Sequence, residues 1–63
     1  MYENYARIRD KKGLKDSHVS RMAGVATSTL SEWKAGKYEP KLITIRKLAA
    51  VLDCTIDELI NEE

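Results

Sequence analysis

A single cysteine, Cys54, excludes an internal disulfide, and His18 is the only other soft metal ligand, so a structural zinc site lacks its four donors. No apolar run reaches ten residues, which excludes a membrane-spanning helix. The N-terminus also lacks the basic and then apolar stretch of a secretory signal, so the expected location is cytoplasmic. One proline and three glycines leave few breaks in the chain, and none of the glycines forms a phosphate-cradling loop. No nucleophile, base and orienting group converge in the sequence, so neither an enzyme nor a cofactor, metal or small-molecule substrate is expected. What is present is 63 residues, 43% apolar and 33% charged. That is too apolar for a disordered tail, too charged for a membrane segment, and short enough for one domain that must be held by efficient helix packing.

The net charge of +1 conceals an uneven distribution. Residues 1–47 carry all eleven Lys and Arg against five acids, a balance of +6, whereas residues 48–63 carry five acids and no base, −5. A polyanion is drawn to the first three quarters of the chain and repelled by its end.

Apolar spacing is helical nearly throughout. Tyr2, Tyr5 and Ile8 predict a helix over about 2–12, ended by Gly13, with Leu14 covering its apolar face. Asp16 reads as the N-cap of a short helix to Ala23 with Val19, Met22 and Ala23 inward, and Gly24 ends it. Val25 anchors the turn. A third helix opens at Ala26 or Thr27, turns Leu30 and Trp33 inward, and stops at Gly36. Pro40 marks the loop 37–41. A fourth helix begins near Leu42, its stripe being Leu42, Ile45, Leu48, Ala49 and Leu52. Thr55 to Glu58 is a capping box opening a last helix through Ile60. The fold class is all-α, a compact five-helix bundle.

Residues 16–35 form a unit of two short helices joined by a tight turn, with small Ser20 at the contact, Gly24 at the bend and Val25 after it. Together with Ile8-Arg9, Lys12-Gly13-Leu14, Ser28-Thr29-Leu30-Ser31, Gly36-Lys37, Pro40-Lys41-Leu42, Leu48-Ala49 and Thr55-Ile56-Asp57-Glu58-Leu59, this unit resembles the phage-repressor and Cro-type helix-turn-helix domains of the Xre-like family. The resemblance covers about Tyr5 to Ile60. It implies a lambda-repressor-like DNA-binding domain spanning 1–63, with its motif at about 16–35 and a recognition helix at about 27–35 lying in the major groove. It also implies a nucleoid-associated transcription regulator, most simply a repressor. In such proteins a glutamine that touches DNA commonly stands at the position of Asp16. The position of Lys34 commonly carries an acid that pairs with the arginine matching Arg9. Ala23 here replaces a larger aliphatic residue, a gap that Met22 is expected to refill.

The residues themselves point the same way. With Leu30 and Trp33 inward, Thr27, Ser28, Ser31 and Glu32 face outward, where hydroxyls and a carboxylate suit base edges. Capping of the third helix is the alternative role for Thr27 and Ser28. Lys15, Lys34, Lys37 and Lys41, with Tyr38 in the loop, are expected to contact phosphate, although Tyr38 serves equally as a cover for the core edge. Trp33 is read as core, because one Trp and no Phe offer no series of rings for stacking successive unpaired bases. His18 is read as a surface residue and Cys54 as a small buried hydrophobe.

The expected partner is double-stranded DNA with a palindromic operator, bound by a weak homodimer that uses Ile43, Ile56 and Ile60. The competing reading is a protein-interaction module or antitoxin-type partner-binding domain on the same bundle, which calls for exposed apolar residues on the third helix.

Overall fold

A computed structural model describes residues 1–60 of the chain. These residues form five helices, α1 (Tyr2–Lys11), α2 (Asp16–Ala23), α3 (Thr27–Lys34), α4 (Leu42–Leu52) and α5 (Ile56–Ile60), and no strand occurs among them. Packing joins α2 to α3 and α4, and α5 to α1 and α4. The chain therefore wraps so that its first and last helices meet.

The inward stripes explain this arrangement. Tyr5 of α1, Val19 of α2, Leu30 and Trp33 of α3, Ile45, Leu48, Ala49 and Leu52 of α4 and Leu59 of α5 form one buried cluster, joined by Val25 from the turn between α2 and α3. Two of the expected core residues lie outside it. Met22 is 57% exposed and does not refill the space beside Ala23. Asp16, Val19, Ser20 and Ala23 make the inward stripe of α2, and Met22, one residue short of Ala23, is turned about 100° away from it. Leu42 is 56% exposed, because it begins α4 about 70° from the centre of the stripe formed by Ile45, Leu48, Ala49 and Leu52. Cys54 is half-buried against the core, and burial followed by the Glu58 charge pushes its thiol pKa up.

The helix ends follow local chemistry. Gly24 closes α2 in the left-handed region at φ 71°, its N–H donating to the Ser20 carbonyl at 2.9 Å. Asp53 closes α4 in the same region at φ 53°, a non-glycine terminator that the sequence pattern does not mark. The capping box at α5 is formed as expected: the Thr55 N–H donates to Glu58 Oε1 at 2.7 Å and the Glu58 N–H to Thr55 Oγ1 at 3.1 Å. The start of α2 differs from expectation. Its N-cap is Lys15, and Asp16 is the first helical residue. The Asp16 carboxylate turns to partners on α1, a charged and a hydroxyl donor that outcompete the backbone N–H groups of its own helix.

Candidate nucleic-acid interface

Helix α3 divides cleanly by face. Leu30 and Trp33 are 1% and 6% exposed, whereas Thr27, Ser28, Ser31 and Glu32 are all on the surface. The four residues expected to read bases thus share one outward ridge of short polar side chains, with Glu32 its one charge. The capping role is not available to Thr27 and Ser28: the N-cap is Ala26, and no side chain hydrogen-bonds the first turn. The first N–H groups of α3 therefore remain unmet by side chains.

Lys15, Lys34, Lys37 and Lys41 are likewise exposed, and among the described residues none of them takes part in an ion pair. Two of the four stand where stability disfavours them. Lys15 is the N-cap of α2 and Lys41 the N-cap of α4, so each adds a cation to the positive end of a helix. A charge in the wrong sense at that position costs roughly 0.3–1 kcal/mol. Positive potential is concentrated there at the expense of the fold. Lys34 and Lys37 flank the turn at Gly36, whose φ of 78° lets the Lys37 N–H return to the Glu32 carbonyl at 2.8 Å. A cleft of about 490 Å³ opens at this corner, lined by Tyr2, Trp33, Lys34, Lys37, Tyr38 and Glu39 among others. Tyr38 is half-buried against the core while also lining that cleft, so it covers the core edge and borders the lysines at once.

Behind this surface lies a network that spacing alone does not disclose. Asp16 Oδ1 accepts from Arg9 Nη1 and from the Tyr5 hydroxyl, both at 2.7 Å. Arg9 also pairs with Asp10 at 2.9 Å and donates to the Tyr2 hydroxyl at 3.3 Å. Burial works against the Arg9 charge, but Asp16, Asp10 and Tyr2 outweigh it and raise its pKa further. Burial and the bond to Asp16 both push the Tyr5 pKa up. The Tyr5 ring lies 5.3 Å from that of Trp33, and Tyr2 meets Trp33 edge-on at 5.4 Å. Asp16 thus takes the place of the acid that commonly pairs with the arginine matching Arg9, and Lys34 stands exposed without an acid. The one available signal was that Tyr5 and Arg9, four residues apart, share a face of α1.

The remaining residues singled out in the sequence lie elsewhere. His18 is exposed, and its Nδ1 accepts from the Lys15 N–H at 3.4 Å, a long contact at the start of α2. Ile43 is 63% and Ile60 40% exposed, while Ile56 is half-buried and packs on the core. Among the described residues no group of three or more metal-ligating side chains occurs, and no helix is long and apolar enough to cross a membrane.

Comparison with known proteins places the chain among regulators. The helix-turn-helix family profile matches residues 6–59. A protein of Sinorhizobium fredii named as an uncharacterized helix-turn-helix-type transcriptional regulator is 35% identical over 58 residues, covering 92% of this chain and 75% of the relative. The helix-turn-helix-type transcriptional regulator AnsR of Bacillus subtilis is 30% identical over 61 residues, covering 97% of this chain and 53% of the relative. The chain thus spans about three quarters of one relative and about half of the other. No solved structure gives a significant match.

Proposed function

Since the chain belongs to the helix-turn-helix family and is a DNA-binding transcription regulator, we propose that it reads a specific duplex site through α3, with residues 16–35 as its motif and 27–35 as its recognition segment. The observation that carries this reading is the outward ridge of α3, polar at Thr27, Ser28, Ser31 and Glu32 and bordered by lysines that no acid neutralises. An interaction module would expose apolar side chains on that ridge, and these four are polar. Thr27, Ser28 and Ser31 contact base edges as donors or acceptors, and Glu32 accepts from cytosine N4. Lys15, Lys34, Lys37, Lys41 and Tyr38 hold phosphates and set the register.

A helix this short reads only a few base pairs, so we propose that two copies bind a palindromic operator with their recognition helices about 34 Å apart. The outcome is repression, by occupancy of a site that polymerase needs, in the bacterial cytoplasm. The protein does no chemistry of its own and needs no cofactor. Selection from a randomised duplex library, followed by sequencing of the bound sites, tests the reading. A palindrome is expected. Within it, substitution of Ser28 or Glu32 should change the preferred base at one position by about 1–3 kcal/mol. Lys37→Ala should weaken binding to all duplexes alike and reduce the log-log salt slope by roughly one. Recovery of no preferred sequence, or a Glu32 variant with unchanged preference, would remove α3 as the reader.

A further inference from the structure

We propose that Arg9 and Tyr5 are positioning residues for DNA binding that act through Asp16, an inference that rests on the functional reading above. Asp16 opens α2 immediately after Lys15, one of the proposed phosphate contacts. A carboxylate at that place is welcome to the helix dipole and unwelcome to phosphate. The structure resolves the conflict from behind. Both the Arg9 guanidinium and the Tyr5 hydroxyl close on the same oxygen, Oδ1, at 2.7 Å, which turns the carboxylate toward α1 and supplies a counter-charge beside it.

Arg9 is itself poorly placed to hold a phosphate. Its side chain is 17% exposed, Nη1 faces Asp16 and the Tyr2 hydroxyl, and Nη2 and Nε face Asp10. Its donors are directed at protein oxygens, so its charge serves Asp16 and Asp10 in place of the nucleic acid. Tyr5 adds a second link: the residue whose hydroxyl fixes the first turn of α2 lays its ring 5.3 Å from Trp33 of α3. One buried side chain on α1 therefore sets both helices of the motif against each other.

A charge-balanced cycle in the full chain separates this role from direct phosphate contact. Binding to the duplex recovered by selection is measured at low and high salt for Arg9→Gln, Asp16→Asn and the double variant, with a thermal melt of each. Arg9→Gln is expected to weaken binding roughly fivefold at low salt, the size of one unpaired surface charge, and less at high salt. The double variant has the parent's net charge and should return to within about twofold of the parent affinity. If Arg9→Gln costs as much affinity in the Asp16→Asn background as it does in the parent, Arg9 grips phosphate itself and the proposal is overturned; parent-like binding by Arg9→Gln alone overturns it equally. A purely structural role would lower the melting temperature without rescue by Asp16→Asn. Should Arg9→Gln fail to fold, Tyr5→Phe with and without Asp16→Asn gives the same decision, because rescue by the neutral amide is again required. A parent protein that binds no duplex would overturn both readings, whereas parent binding without rescue overturns the positioning role alone.

Discussion

Trp33 shows how much a single side chain can carry in a molecule of this size. It is 6% exposed, with the rings of Tyr2 and Tyr5 at 5.4 and 5.3 Å. Truncation of a buried tryptophan costs about 3–5 kcal/mol, and a small single-core domain holds about that much in total. Trp33→Ala is therefore expected to be largely unfolded at 25 °C, lacking a cooperative melt by circular dichroism; a sharp transition near the parent temperature would contradict it. Its burial was legible from the spacing to Leu30, as was the outward placement of Thr27, Ser28, Ser31 and Glu32. Asp16 was misread as a cap because sequence displays neighbours along the chain, while its partners lie seven and eleven residues away on another helix. Met22 was misread because three residues from Val19 is within one apolar stripe in principle, yet Ser20 and Ala23 centre the stripe on its other side.

Among the elements, α5 offers the clearest test of a local device. The Glu58 carboxylate accepts from the backbone N–H of Thr55 and pairs with its hydroxyl, and these bonds lower its pKa from 4.5. A carboxylate with a lowered folded-state pKa contributes stability that is present above 4.5 and disappears as pH falls through the lowered value. The melting temperature should therefore decline on acidification below about pH 5, and Glu58→Gln should flatten that decline while leaving the neutral-pH fold intact. An unaltered acid limb in Glu58→Gln would assign the decline to other carboxylates. The box was readable because both partners lie within four residues. The end of α4 was not, since Asp53 takes a left-handed conformation that sequence ordinarily announces with glycine or asparagine.

For the whole molecule, the uneven charge and the exposed apolar residues bear on assembly. Ile43 and Ile60 are open to solvent, and Ile56 is largely committed to the core, so a two-fold contact would draw on the first two. The acidic end expected from the sequence extends to Glu62 and Glu63, which lie outside the described residues. In the proposed two-fold complex, repulsion between two acidic ends would make the pair weak when free and leave it to form on the DNA. Sedimentation should show monomer alone and two proteins per palindromic duplex, with Ile60→Asp reducing duplex binding but not the melt; one protein per duplex at saturation would rule the pair out. The path of the chain has a mechanical consequence as well. Asn4 donates to the Leu59 carbonyl at 3.3 Å, so α1 and α5 are fastened side by side, and Leu59 is the one buried residue of α5. A pull applied at residues 2 and 60 would load those fastenings one after another, as a zipper is loaded, in place of shearing them together. In an optical trap the domain should yield at low force, with α5 peeling away before the helices of the proposed reading surface.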